Sequence, residues 1–151
     1  KAMVEAGIPV CAHLGITPQH INAFGGFKVQ AKTEAAAKQL LEDAKAVQEA
    51  GAFAVVLEAI PAKLAQLVTK QLDIPTIGIG AGNQTDGQVL VYADLLGLFS
   101  DFTPKFVKRY ANIGELISDA VKNYIEDVDA QKFPTPDNEY HIDDSIIEKL
   151  Y

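Results

Sequence analysis

The sequence predicts an α/β fold built on a parallel sheet, and three observations carry that expectation. Short apolar, β-branched runs recur at residues 8–13, 53–60 and 74–79, the pattern of strands covered on both faces. Stretches with helical spacing separate them, so strand and helix alternate at a length that calls for crossovers within one sheet. The runs end on polar residues or glycines rather than on two-residue hairpin turns. Three strand-plus-helix units with a candidate fourth amount to about half of an eight-unit barrel, or most of a small doubly wound sheet.

Taken in order, Lys1 to Ala6 read as the last turns of a helix capped by Gly7, with the expectation that something precedes them. The first strand ends at His13 and runs into Leu14 and Gly15. Thr17 and Pro18 have the grammar of a helix start, giving a brief turn to Phe24 that Gly25 and Gly26 break. Residues 27–31 read as extended or loop. From Thr33 to Ala50 the apolar positions Ala36, Leu40, Ala44, Val47 and Ala50 fall three or four apart on one helical face, and Gly51 is the stop. The second strand is closed by Glu58 and Pro61, and residues 61–71 form a helix carrying Leu64, Leu67 and Val68 inward.

The third strand leads straight into Gly80, Ala81, Gly82 and Asn83. Residues 85–92 then give a turn and an apolar stretch that periodicity leaves open between a fourth strand and a short buried helix. Residues 104–110 are expected to form a short helix carrying Lys105, Lys108 and Arg109. Residues 113–130 form a longer one with Ile117, Ala120, Val121, Tyr124 and Val128 buried. After Phe133 the composition turns to proline and acid. The expected organisation is therefore one unit over 1–133 and an acidic C-terminal tail over 134–151, which docks or stays loose.

A chain of 151 residues with 48% hydrophobic content suffices for one domain with a substantial core. The net charge of −7 argues against a nucleic-acid or anionic-membrane partner. Cys11 is the single cysteine, so no internal disulfide forms and a reducing, cytoplasmic compartment is the simplest expectation. No apolar run reaches the ~18 residues of a membrane-spanning helix.

Chemistry is expected at the strand ends. Glu58 closes an apolar run, and residues at the carboxyl ends of parallel strands face the ligand site. An acid set among Val55, Val56, Leu57 and Ile60 is partly desolvated, the setting of a general base or acid. The bland alternative is that Glu58 caps the following helix. His13 stands at the matching end of the preceding strand, and its bland alternative is a buried hydrogen-bonding residue. Together the two side chains point to one cleft. The glycine-rich loop at 78–83 is neither a phosphate-binding loop ending in Lys and Ser or Thr nor a dinucleotide fingerprint, and its small residues equally well make room. No helical or finger-type metal ligand pair is present: His13 and His20 are seven apart and His141 lies in the tail, so the expected metal ligands in this chain are none. Asp86, Asp94 and Asp101 read as turn residues.

Read together, these strand ends resemble the ketopantoate hydroxymethyltransferase family. The marks are Ala12-His13-Leu14-Gly15-Ile16-Thr17-Pro18-Gln19, then Gly25-Gly26-Phe27-Lys28-Val29-Gln30, then Val56-Leu57-Glu58-Ala59-Ile60-Pro61. Ile77-Gly78-Ile79-Gly80-Ala81-Gly82-Asn83 with Asp86-Gly87-Gln88-Val89-Leu90-Val91, and Pro104-Lys105-Phe106-Val107, complete five blocks in the family's order. The resemblance implies the C-terminal portion of a (β/α)₈ TIM barrel of the phosphoenolpyruvate/pyruvate type, in a protein that assembles as a homo-oligomer. It implies enolisation of 3-methyl-2-oxobutanoate with Mg²⁺, then attack on 5,10-methylenetetrahydrofolate to give 2-dehydropantoate for pantothenate biosynthesis. The proton-accepting glutamate falls on Glu58, and the histidine that contacts the keto acid falls on His13.

The family's magnesium-binding carboxylates and its substrate-binding serine and lysine belong to the first half of the barrel, which this sequence does not contain, so the fragment alone is expected to be inactive. Ala12 and Ala31 stand where glycine is usual, Ala93 where a histidine often precedes Asp94, and the extension after Phe133 is expected to fall outside the shared pattern. Two other readings remain at this stage. One is a non-catalytic half-barrel or receiver-like α/β binding module. The other is a different barrel enzyme using the Gly80 loop for phosphate, against which stands the lack of a lysine at any expected strand end.

Overall fold

The computed structural model describes residues 1–17, 29–99 and 102–150. Four parallel strands form one sheet in the order β1 (Cys11–Gly15), β2 (Ala54–Glu58), β3 (Thr76–Ile79) and β4 (Gly87–Gln88). The helices are α1 (Ala2–Glu5), α2 (Glu34–Glu49), α3 (Ala62–Gln71), α4 (Tyr92–Leu95), α5 (Ile113–Asp129) and α6 (Asp144–Ile147). The α/β class and the parallel sheet match the sequence reading. The expected helical turn from Thr17 to Phe24 lies almost wholly outside the described residues.

Local chemistry explains the element ends. The Thr33 hydroxyl accepts from the Ala36 N–H at 3.3 Å and caps α2. Gly51 ends α2 with φ +93°, a conformation that costs a residue with a Cβ. Ala31, where the resembled family usually has glycine, also lies in the left-handed region at φ +54°.

The core is a layer between the sheet and two helices. Val55 and Leu57 of β2 are wholly buried against Leu40 and Ala44 of α2 and Ala65 and Val68 of α3. Side chains alternate along a strand, so Val56 and Glu58 stand on the opposite face, and both remain partly exposed. Among the described residues the two helices packed on β2 share one side of it, whereas both faces were expected to be covered; on the other face Ala54 is buried and Val56 and Glu58 are partly so. Thr76, wholly buried on the covered face, joins three elements. Its hydroxyl lies 2.9 Å from that of Thr69 in α3, and its N–H and hydroxyl donate to Asp86 Oδ2 at 2.8 and 2.9 Å. Those bonds, the backbone one foremost, hold the Asp86 carboxyl below the usual carboxylate range.

Three expectations are corrected. Residues 104–110 form no helix; a single turn closes on the Val107 N–H to Pro104 carbonyl bond, and Phe106 is used as a cover over Gly80. Leu67, expected inward on α3, is exposed, while Ala65, two residues earlier and on the other side of the helix, is buried. The stripe of α5 has the predicted spacing, yet α5 has no buried residue: Ile117, Val121 and Tyr124 are all more than half exposed. Spacing sets which side of a helix is apolar, and a second surface is needed to bury it. The open stretch at 85–92 resolves into the two-residue strand β4 followed by α4. The tail beyond Phe133 is exposed throughout its described residues and forms short helical turns.

Candidate functional site

Register places the two predicted residues on one face. Gly15, Glu58 and Ile79 form one row across β1, β2 and β3, and His13, Val56 and Ile77 form a row two residues earlier, on the same face. His13 was expected to end its strand but is the middle residue of β1, which runs on to Gly15; it is the diagonal neighbour of Glu58 on the same face. The imidazole spans the gap, with Nε2 3.0 Å from Glu58 Oε2. That distance is a hydrogen bond in which the ring N–H donates to the carboxylate. Glu58 keeps 18% of its side chain exposed and His13 35%, so the pair is sheltered but reachable.

The bland alternatives can be judged on this geometry. The N-cap of α3 is Pro61, and no side chain caps that helix; Glu58 faces His13 instead of serving as a cap. His13 is exposed rather than buried, and its partner is the other candidate. A carboxylate held by a histidine at the open end of a parallel sheet can accept a proton from a ligand lying across the strand ends.

The turn after Glu58 is unusual, and the spacing of apolar residues gave no hint of it. Ala59 has φ +50° while 6% exposed, and Gly15 has φ +96°. The Ile16 N–H donates to the Glu58 carbonyl at 3.0 Å, the Ala59 N–H to the Ile79 carbonyl at 2.9 Å, and the Gln30 N–H to the Ala59 carbonyl at 2.9 Å. The one available signal was the glycine two residues after the candidate histidine.

The glycine-rich loop is packed with protein. A Cβ on Gly80 would lie 2.9 Å from the Phe106 ring, one on Gly78 would lie 2.6 Å from Thr85 Oγ1, and one on Gly82 would overlap Ala62 Cβ. These glycines make room for neighbouring side chains, as the bland reading of the loop has it. Among the described residues no three His, Cys, Asp or Glu side chains converge as a metal site. A cavity of about 290 Å³ lined by Arg109, Asn112, Glu115 and Ser118 lies apart from the pair, with Arg109 Nη2 donating to the Phe99 carbonyl at 2.7 Å. It lacks both candidate residues.

Comparison with known proteins adds what geometry cannot. Residues 1–136 match the family model described as ketopantoate hydroxymethyltransferase. A protein of Clostridium novyi (strain NT) called 3-methyl-2-oxobutanoate hydroxymethyltransferase is 60% identical over 151 residues, which is 100% of this chain and 55% of that protein. Proteins of the same name from Enterococcus faecalis and Clostridioides difficile are 60% and 56% identical, each over 100% of this chain and 55% of their own length. The chain spans about half the length of the curated relatives it matches. The family model stops at residue 136, close to the expected boundary at Phe133, while the alignments with these relatives run on through the tail. The chain belongs to the ketopantoate hydroxymethyltransferase family.

Proposed function

We propose that this chain is the C-terminal half of a (β/α)₈ barrel of the phosphoenolpyruvate/pyruvate type. The completed barrel transfers a hydroxymethyl group from 5,10-methylenetetrahydrofolate to 3-methyl-2-oxobutanoate, giving 2-dehydropantoate. The observation that supports this most is the 3.0 Å contact between His13 Nε2, from the middle of β1, and Glu58 Oε2, at the end of the adjacent parallel strand β2. It stands in a chain of a family whose named members are hydroxymethyltransferases.

Removing a proton beside a ketone needs a base within reach of the carbon and stabilisation of the charge that develops on the carbonyl oxygen. Glu58 is the base in this proposal. Its carboxylate takes the proton from C3 of the keto acid, the C–H electron pair passes into the enolate, and the enolate carbon attacks the methylene carbon of the folate. That attack breaks one of the methylene carbon's two bonds to folate nitrogen; water then supplies the hydroxyl oxygen as the second bond breaks, and its proton passes to the departing nitrogen to leave tetrahydrofolate. His13, a third exposed while engaged with Glu58, offers the remaining ring surface to the keto acid.

The described residues do not fit the Mg²⁺ that the resemblance implies, because no three of their His, Cys, Asp or Glu side chains converge. Its carboxylates, with the substrate-binding serine and lysine, belong in this proposal to the first half of the barrel, so the fragment alone is inactive. A homo-oligomer is proposed as the working form, supported by the exposed apolar stripe of α5. The single unpaired Cys11 supports a reducing, cytoplasmic compartment. The deciding experiment is deuterium exchange at C3 of 3-methyl-2-oxobutanoate, catalysed by the full-length enzyme containing this chain. Glu58→Gln should slow exchange by ~10²- to 10⁴-fold, the usual worth of a general base. Exchange at the wild-type rate would remove Glu58 from the role.

A further inference from the structure

Glu58 occupies the last position of β2, where a strand end is free to fray, yet its peptide is held from two sides. On one side β1 passes close: Gly15 pairs with Glu58 in register, and the Ile16 N–H donates to the Glu58 carbonyl at 3.0 Å. This approach requires a residue without a side chain. A Cβ at position 15 would overlap the Glu58 carbonyl oxygen and lie 3.0 Å from both the Glu58 carbonyl carbon and Ile60 Cγ2, and the φ of +96° independently favours glycine. On the other side Ala59 turns the chain at φ +50°, with its N–H bonded to the Ile79 carbonyl and its carbonyl bonded to the Gln30 N–H. A buried alanine in the left-handed region is strained and persists only where its surroundings impose it.

We propose that Gly15 and Ala59 form a backbone clamp that positions the Glu58 carboxylate for proton abstraction. Neither residue presents a functional group to a ligand, so both are positioning residues. They fix the Glu58 peptide from front and back, and with it the direction in which the side chain leaves the strand to meet His13. The inference rests on the reading of Glu58 as the base. A side chain at position 15 must push the Glu58 carbonyl away, and glycine at position 59 lets the same peptide swing. Either change moves the carboxylate, and a misplacement of about 1 Å at a reacting centre costs on the order of 10²-fold in rate.

The test uses the full-length enzyme and reads C3 deuterium exchange, kcat and KM for Glu58→Gln, Gly15→Ala, Ala59→Gly and the doubles that combine each clamp change with Glu58→Gln. Gly15→Ala is expected to lower exchange and kcat on the order of 10²-fold. Ala59→Gly removes only one methyl group and relieves the strain, so it keeps the fold; it should lower both rates by about tenfold with KM nearly unchanged. In the Glu58→Gln background neither change should remove anything further, because the group they aim is gone. The clamp is refuted if Ala59→Gly retains wild-type exchange, or if its loss persists undiminished in the Glu58→Gln background. Should Gly15→Ala fail to fold, Ala59→Gly and its double decide alone. If Glu58→Gln itself exchanges at the wild-type rate, the base assignment has failed, and the clamp falls with it by a separately visible route.

Discussion

The two faces of β2 differ by one residue of offset and by the whole of their purpose. Val55 and Leu57 are sealed against α2 and α3, where removal from water stabilises each by about 1.5–3 kcal/mol. Val56 and Glu58, one step along the same strand, stay partly exposed and share their face with His13. The covered face holds the strand in place, and the open face carries the chemistry proposed for it. A polar group held at a fixed position needs this division, because a strand solvated on both sides would have no reason to keep its register.

The sharpest way to separate the faces is to remove one side chain from each. Glu58→Gln should abolish most C3 exchange while leaving the unfolding midpoint of the full-length enzyme within the range typical of surface changes, about 0.5 kcal/mol. Leu57→Ala should do the reverse, lowering stability by about 2–5 kcal/mol in chemical denaturation with the exchange rate per folded molecule retained. Equal stability losses for Leu57→Ala and Val56→Ala would erase the distinction between the faces.

His13→Ala probes the open face more gently. Removing the ring proposed to meet the keto acid should weaken apparent keto-acid affinity by about tenfold, measured by titration, and by more than the lost bond to Glu58 lowers stability. Undiminished affinity together with lowered stability would return His13 to a structural role. The smallest effect is electrostatic and belongs to Asp86, an exposed turn residue bonded to Thr76 of the covered face. Asp86 is held below its ordinary value by the Thr76 bonds, so the stability it contributes is fully present above about pH 4 and is lost as the pH falls through the lowered folded value. In the full-length enzyme the stability gap between wild type and Asp86→Asn should therefore narrow on going from neutral to strongly acidic solution. A gap independent of pH would show that the carboxylate charge does not matter there.

Glu58 and His13 were legible in the sequence because each ends an apolar run, and the periodicity of such a run needs no tertiary information. Their contact was not legible, because it depends on the register between strands about 40 residues apart. Gly15 and Ala59 were missed as a device for the same reason. A glycine after a strand reads as a break, and only the approach of β1 to the Glu58 carbonyl gives it a further meaning. At 104–110 local spacing suggested a helix, and the tertiary use of Phe106 as a cover over Gly80 goes with a single turn instead. The five ordered blocks pointed to the family before any geometry was available, and the alignments with curated relatives agree.

By itself the sequence determined the alternation of strands and helices from β1 to β3, the apolar stripes of α2 and α5, and the closing of the β2 run on Glu58, since all of these follow from spacing along one chain. The tertiary structure alone decided which face of β2 is covered, that His13 donates to Glu58, and that a bare glycine and a strained alanine brace the Glu58 peptide. Those are contacts between segments far apart in sequence, and their existence depends on packing and strand register rather than on local preference.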